Sequence, residues 1–222
     1  MIRFYIIILI LLLITLIFLV CRLVRQHHPS KLFYTLQDIP RLQLLIDNYE
    51  IIKNEGLLLC KNIQMLDKER PTIIWTADCR LWREYFEYLE THQGWLHGLK
   101  LYSEDMYNFP IYTEGKFFAN SSLCPKTTKI LKKIGGVNMA GFSLLKAKSK
   151  LRLHIDAVGA IYGTIACNFG LDCDDSTLYV DDIPVQQMNN NVLLFDSTHS
   201  HYVINHSNRD RLILYIDLKI YD

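Results

Sequence analysis

The distribution of apolar residues sets the first part of this 222-residue chain apart from the rest. Phe4–Val20 is an almost unbroken apolar run with Thr15 as its one clearly polar member, and through Leu23 it approaches the roughly 20 residues that span a bilayer. A cleaved signal peptide would have a shorter apolar core ending at small residues, whereas Cys21–Arg25 carries two arginines. The pattern therefore predicts one uncleaved transmembrane helix, within a membrane anchor at residues 1–26.

Apolar residues with helical spacing follow a short polar and aromatic connector at residues 27–37. The first predicted helix has Asp38 as its N-cap, Pro40 in its first turn and its end by Gly56. Two further helices are predicted, at residues 76–91 and at residues 125–133, the second ended by two glycines. The apolar faces of these helices indicate core packing.

From Val137 onward the pattern changes to short segments of extended character separated by turn residues. The predicted strands are Met139–Leu145, Lys150–Asp156, Ala160–Asn168, Ser176–Val180, Asn191–Asp196, Ser200–Ile204 and Arg211–Ile220. Seven or eight short strands at this spacing are typical of a β-sandwich or barrel. The aromatic-rich segment at residues 99–118 either lines a substrate groove or covers an open end of such a barrel.

Charge and cysteine content argue against several classes of protein and site. The formal net charge of +1 gives no argument for a nucleic-acid partner. The six cysteines include no Cys-x-x-Cys pair, which argues against a dense disulfide framework and against a zinc knuckle. Arg22, Arg25 and Lys31 follow the predicted anchor and only Arg3 precedes it, an asymmetry that favours a cytoplasmic domain.

Two short stretches carry candidate metal chemistry. In the predicted strand around His154 and Asp156, residues two apart share a face, so both side chains can converge on one ion. A second strand offers His199 and His201, each followed ten residues later by an arginine. Two histidines and one carboxylate form the facial triad of non-haem Fe(II) oxygenases. An isolated His-x-Asp is more often a surface pair, and the residues alone leave both distal histidines open as the third ligand.

Beyond these stretches, residues 38–222 resemble the aspartyl/asparaginyl β-hydroxylase family. The most specific match is Phe195-Asp196-Ser197-Thr198 followed by His201, Asn205 and Arg211, all at the family's offsets. The further matches are Phe169-Gly170-Leu171, Ser143, Cys124-Pro125-Lys126-Thr127 and Asp217-Leu218. This resemblance implies a mainly β double-stranded β-helix, a jelly roll of cupin type, with flanking N-terminal helices.

The resemblance also implies roles for individual residues. His154, Asp156 and His201 are the expected Fe(II) ligands, with His201 chosen over His199 by the family's offsets. Arg211 is expected to bind the distal carboxylate of 2-oxoglutarate with Ser143 as a hydroxyl partner. Asn168, which ends the Ala166-Cys167-Asn168 stretch in place of the family's Arg-x-His, is expected in the same cosubstrate pocket.

The function expected from this resemblance is a membrane-anchored Fe(II)/2-oxoglutarate-dependent dioxygenase that hydroxylates a peptidyl Asp or Asn. A lipid hydroxylase of the same chemistry is the first alternative, because bacterial relatives that act on membrane lipid carry an Asp at the position of Asp156. A non-catalytic, membrane-tethered binding module is the second alternative, prompted by the loss of the Arg-x-His, and a cupin without oxygenase activity is the third. The side of the membrane stays open, since the animal hydroxylases have a lumenal domain.

Overall fold

A computed structural model describes residues 31–67, 79–98, 100–156, 159 and 162–220 of the chain. Within those ranges no helix combines the length and the apolar character that a membrane crossing requires. The predicted anchor at residues 1–26 and the first part of the predicted connector lie outside the described residues. The predicted site residues Ser143, His154, Asp156, Asn168, His201 and Arg211 all lie within them.

Two antiparallel sheets form the centre of the described protein. The larger sheet has the strand order β1-β10-β7-β12-β5-β3-β2, with β4 paired to β3, and the smaller sheet has the order β6-β11-β8-β9. The strands are β1 (Phe33–Tyr34), β2 (Leu96–His97), β3 (Met106–Thr113), β4 (Lys116–Phe117), β5 (Val137–Leu145), β6 (Lys150–His154), β7 (Thr164–Asp172), β8 (Ser176–Val180), β9 (Ile183–Gln187), β10 (Val192–Phe195), β11 (His201–Asn205) and β12 (Arg211–Lys219).

From β5 to β12 the chain passes repeatedly between the two sheets. Strands β5, β7, β10 and β12 lie in the larger sheet, and β6, β8, β9 and β11 lie in the smaller one. Two packed antiparallel sheets with these connections form a jelly roll, the architecture of the cupins. The expectation of a mainly β sandwich of cupin type is therefore confirmed.

Each of the seven predicted strands is present; β8 has the predicted ends, and the other six are shifted at one or both ends. Strand β7 begins at Thr164 instead of Ala160 and continues to Asp172, and β6 ends at His154 instead of Asp156. Strand β9 was not predicted, because Asp182–Pro184 has the composition of a turn. Proline is compatible with β9 because this strand lies at the edge of the smaller sheet.

Helices cover the outer face of the larger sheet. They are α1 (Gln43–Asp47), α2 (Tyr49–Lys61), α3 (Cys79–Thr91) and α4 (Pro125–Ile134), with 3-10 turns at Pro40–Leu42 and Ala119–Ser122. The buried residues of α1, α2 and α4, among them Ile52 and Leu131, share a core with Phe142 and Leu214 of the sheet. This core supports the outer side of the sheet whose inner side carries the candidate site. Tyr85 and Leu89 of α3 pack in a separate cluster with Leu96 and Phe118.

Two predicted details of the first helix are wrong. The helical segment ends at Lys61 and not by Gly56. A Cβ at Gly56 would lie 3.0 Å from the Phe142 ring, so this glycine serves close helix-to-sheet packing and not termination. Asp38 is not an N-cap, because its carboxylate accepts a hydrogen bond from the preceding Thr35 backbone N–H at 2.8 Å.

The aromatic-rich segment and part of the connector both belong to the larger sheet. Half of residues 99–118 form β3 and β4, and Phe109 and Ile111 are buried in the core beneath the helices. Phe33 and Tyr34 of the predicted connector form β1, which pairs with β10. Tyr107, Tyr112 and Phe117 therefore contribute to the sheet, whereas Tyr102 lies before β3.

The space between the two sheets has its own smaller core. It contains Leu145, Ala166, Phe195, Leu178 and Val203, from five different strands. Polar residues interrupt this apolar lining on the same inward faces, and they form the candidate site. The four cysteines whose side chains are described are free thiols.

Candidate active site

Three candidate ligands meet at one end of the space between the sheets. His154 at the end of β6 is paired in register with His201 at the start of β11. Asp156 follows β6, and its backbone N–H donates to the Ser197 carbonyl at 2.8 Å. One ligand atom from each of the three residues lies within 4.8 Å of the other two. The donor set and the spacing fit a facial two-histidine, one-carboxylate metal site.

Hydrogen bonds set the tautomer of both imidazoles. Nδ1 of His154 lies 2.7 Å from the Arg152 carbonyl oxygen, and Nδ1 of His201 lies 2.9 Å from that of His199. A carbonyl oxygen only accepts, so each Nδ1 carries the proton and each Nε2 keeps its lone pair. Burial lowers the pKa of His201 below its ordinary value, although Asp156 opposes this effect, and the neutral form is the one that binds metal.

Aromatic side chains surround the three ligands. The Phe195 ring lies edge-on to His201 with 5.2 Å between ring centroids, and Tyr102 stacks on His154 at 4.9 Å. The Tyr215 hydroxyl is 3.4 Å from Oδ2 of Asp156. Sequence reasoning assigned no role to Tyr215, and it included Tyr102 only within the aromatic segment for which a groove lining was one of two predictions. For Tyr215 a signal existed, since it shares strand parity with Arg211, but nothing local links Tyr102 to His154.

His199 does not join the cluster. Its Nδ1 lies 2.5 Å from Oδ2 of Asp181, and its side chain is partly exposed. This hydrogen bond holds the pKa of Asp181 below its ordinary value. Residues two apart share a face only within one strand, and β11 begins at His201, so His199 does not share the face of His201.

The three predicted cosubstrate residues all face the space between the sheets. On β12, Arg211 shares its face with Ile213, which pairs with Ser143, and with Tyr215, which pairs with Asn168. Arg211, Ser143 and Asn168 are all buried. In the described part of the chain, neither the Ser143 nor the Asn168 side chain has a hydrogen-bond partner within the protein, so both are available to a ligand.

Arg211 is a buried cation without a carboxylate partner among the described residues. Its Nε donates to Oε1 of Gln187 on β9 at 2.5 Å. Burial lowers its pKa to about 10, so it stays positively charged near neutral pH. Because a buried charge is costly unless it is paired, this guanidinium fits an anionic ligand. Sequence reasoning missed Gln187 because β9 resembled a turn.

Comparison with solved structures finds many distant matches. An oxidoreductase of the 2OG-Fe(II) oxygenase family from Burkholderia pseudomallei is 12% identical, with 68% of this chain and 84% of that chain covered at a TM-score of 0.40. A predicted oxalate decarboxylase from Thermotoga maritima is 14% identical, with 51% and 80% covered at a TM-score of 0.35. The Cnp3 cupin domain of Schizosaccharomyces pombe is 8% identical, with 53% and 67% covered at 0.36. At these values the similarities carry no functional assignment.

The comparison with curated proteins found no match. The sequence profile described as aspartyl/asparaginyl beta-hydroxylase, in contrast, matches residues 47–220, more than three quarters of the chain. The matched range includes His154, Asp156, His201 and Arg211 together with the strands that position them. The chain belongs to the aspartyl/asparaginyl β-hydroxylase family.

Proposed function

We propose that this protein is a membrane-anchored Fe(II)/2-oxoglutarate-dependent dioxygenase that hydroxylates a C–H bond of a peptidyl Asp or Asn. The observation that carries the proposal is the cluster of His154, Asp156 and His201, in which both imidazoles keep Nε2 free for a metal. Membership of a hydroxylase family supports the same reaction class.

The donor set suits a ferrous ion held at one face. His154, His201 and Asp156 would supply two nitrogens and one oxygen, which leaves other coordination positions for cosubstrate and O2. With iron bound, the centre would couple the conversion of 2-oxoglutarate and O2 to succinate and CO2 with oxidation of an unactivated C–H bond. His154 and Asp156 are only half-buried, so a substrate can approach from their side.

The cosubstrate would lie between the metal site and Arg211. Arg211 is hydrogen-bonded to Gln187, which lies in register with Ser176 and, through it, with Asn205 of β11. Asn205 is four residues from His201, so the guanidinium of Arg211 lies about four residues along the strands from the metal site. At strand rise this separation is roughly 13 Å. An arginine side chain and a five-carbon dicarboxylate together can bridge it. Ser143 would donate to the distal carboxylate, and Asn168 faces the part of the pocket nearer the metal.

The enzyme proposal is tested by turnover and by binding of 2-oxoglutarate. Full-length protein in detergent, supplied with Fe(II) and 2-oxoglutarate, is expected to release succinate. Arg211→Ala removes a charge-assisted hydrogen bond, so 2-oxoglutarate binding should weaken by about 10- to 100-fold while Mn(II) affinity is unchanged. Arg211→Lys should restore only part of the 2-oxoglutarate affinity, since an ammonium group cannot form two parallel hydrogen bonds to a carboxylate as a guanidinium does.

Arg209→Ala is the matched control, because Arg209 is exposed and lies 3.5 Å from Asp172 at the surface. It should leave 2-oxoglutarate affinity unchanged. Wild-type protein that binds Mn(II) but neither binds 2-oxoglutarate nor releases succinate would contradict the enzyme proposal. A non-catalytic, membrane-tethered binding module would then be the better description.

Exposed apolar side chains on the face opposite the metal ligands offer a surface that a lipid could contact, which makes a lipid substrate the second candidate. Leu153 and Ile155 alternate with His154 and Asp156 and are 60% and 57% exposed. Leu101, 73% exposed, lies next to them, since its carbonyl oxygen accepts a hydrogen bond from Arg152. Mass spectrometry of candidate peptides and lipids after incubation with the enzyme, Fe(II) and 2-oxoglutarate distinguishes the two substrates by the added oxygen.

A further inference from the structure

The side chain of Gln187 connects the two sheets through its contact with Arg211. It is 3% exposed and reaches from β9 in the smaller sheet to Arg211 in the larger one. Arginine Nε can only donate, so the amide atom in contact with it is the oxygen Oε1. The other amide atom, Nε2, is therefore a donor, and it is buried without a hydrogen-bond partner in the described part of the chain.

A buried donor without an acceptor is unfavourable unless a ligand supplies the acceptor. The position of this donor identifies what that ligand would be. The hydrogen bond from Arg211 Nε to Gln187 Oε1 holds the two side chains together, so the Nε2 donor of Gln187 lies within a few ångströms of the guanidinium. Because Nε is already used, the two terminal nitrogens of Arg211 remain for a planar, bidentate anion.

We propose that Gln187 is a binding and specificity residue for the distal carboxylate of 2-oxoglutarate, an inference that rests on the proposed function. Its Oε1 orients the Arg211 guanidinium, and its Nε2 donates directly to the carboxylate that Arg211 binds. Ser143, buried on the inward face of β5, supplies a hydroxyl to the same group.

The neutral amide of Gln187 matters for specificity. A distal carboxylate can accept hydrogen bonds from Gln187 Nε2 and from the Arg211 guanidinium at the same time. A distal amide would instead direct its own NH2 group at one of these donors, and a shorter 2-oxo acid would leave them unpaired. The pair of Arg211 and Gln187 therefore selects a five-carbon dicarboxylate.

Gln187→Glu tests this role with little change in shape. The new carboxylate would pair with Arg211, remove the Nε2 donor and repel the ligand carboxylate. Calorimetry on full-length, Mn(II)-loaded protein should show 2-oxoglutarate affinity reduced by about 100-fold or more. Binding of 2-oxoglutaramate, the distal amide, should fall far less, because its NH2 group can donate to the new carboxylate. A merely structural defect would weaken both ligands alike.

Gln186→Glu is the matched control, since Gln186 is the exposed neighbour on the opposite face of β9 and the charge change is the same. It should change neither affinity more than about twofold, within ordinary surface effects. If Gln187→Glu fails to fold, Gln187→Met decides, since it removes the donor without adding charge and should weaken 2-oxoglutarate binding about tenfold.

Normal 2-oxoglutarate binding by a folded Gln187 variant, with Arg211→Ala still defective, would overturn this inference and leave the proposed function intact. Equal losses for 2-oxoglutarate and its distal amide in Gln187→Glu would also overturn it. Wild-type protein that does not bind 2-oxoglutarate would overturn both.

Discussion

His199 and His201 are only two residues apart, yet their surroundings differ completely. His201 is buried, lies in β11 and donates a hydrogen bond from Nδ1 to a backbone carbonyl oxygen. His199 precedes the strand and is bonded to the exposed Asp181. Residue type and spacing alone therefore do not identify the third ligand, whereas pairing with His154 does.

At the metal site, His154→Ala, Asp156→Ala and His201→Ala are each expected to abolish tight Mn(II) or Fe(II) binding, because each removes one of three donors. His199→Ala is the internal control and should bind Mn(II) like the wild type. Isothermal titration with Mn(II) measures both. Loss of binding in the His199 variant alone would show that the triad is assigned to the wrong histidine.

Asp217 carries a pH-dependent contribution to stability. Burial raises the pKa of Asp217 to about 6, although the nearby Thr164 hydroxyl and a hydrogen bond from Asn138 Nδ2 at 2.7 Å oppose the shift. Neither Oδ1 of Asp217 nor the Thr164 hydroxyl, both buried, has a hydrogen-bond partner of normal geometry in the described part of the chain. The folded state thus favours the neutral acid, so this contribution is complete below the unfolded pKa near 3.9 and is lost as the pH rises through about 6.

Asp217→Asn should therefore stabilise the protein at high pH. The new amide keeps an acceptor for Asn138, offers a donor to the Thr164 hydroxyl and does not titrate. The free energy of unfolding of the variant relative to wild type should rise by about 2–3 kcal/mol between pH 4 and pH 8. Urea unfolding at several pH values measures it, and a difference independent of pH would contradict the argument.

At the scale of elements, a side chain of α2 caps α4. The two carboxylate oxygens of Glu55 accept hydrogen bonds from the backbone N–H groups of Lys126 at 3.0 Å and Thr127 at 2.8 Å, and from the Thr127 hydroxyl at 2.7 Å. The residue before α4, Cys124, provides no side-chain cap. The Pro-x-Thr start shared with the family thus works through a tertiary contact.

Glu55→Ala should destabilise the protein by about 1–2 kcal/mol, because it removes the cap and a negative charge at a helix N-terminus. Glu87→Ala, the same exposed change in the middle of α3 and away from any helix N-terminus, should cost no more than about 0.5 kcal/mol. Denaturant unfolding of both variants provides the comparison. Equal effects would mean that the contact contributes nothing specific.

At the scale of the whole molecule, the N-terminal strand ties the predicted anchor to the site-bearing sheet. Strand β1 pairs with β10, with Phe33 opposite Phe195, and the Phe195 ring contacts His201. The predicted connector is therefore part of the folded domain from Phe33 onward. A membrane attachment at residues 1–26 would place the folded domain a few residues from the bilayer.

The proposed anchor should keep the protein in the membrane fraction after alkaline carbonate washing. Deletion of residues 1–26 should give a folded domain, whereas deletion of residues 1–37 should lower its melting temperature, because β1 and the buried Tyr34 are lost. Thermal unfolding compares the two truncations. A mature chain that begins after Cys21, found by intact mass, would show a cleaved signal instead.

Local patterns in the sequence determined strands β5–β8 and β10–β12, the helix at Pro125–Ile134 and the candidate motifs. Alternation marks a strand because successive side chains point to opposite faces, and the end of that helix was predictable because Gly135 adopts φ 71°, which glycine accommodates best. The family offsets around His201 and Arg211 were equally visible in the chain. Each of these signals lies within about ten residues, the range over which spacing alone constrains geometry.

Only the tertiary structure decided which residues meet. The pairing of His154 with His201, the stacking of Tyr102 on His154 and the bond between Gln187 and Arg211 join different strands and loops. Glycine often ends a helix, but the role of Gly56 is set by the Phe142 ring, which leaves no room for a side chain there. Local sequence does not encode such contacts, because they form when the two sheets pack together and the helices pack on the outer face of the larger sheet.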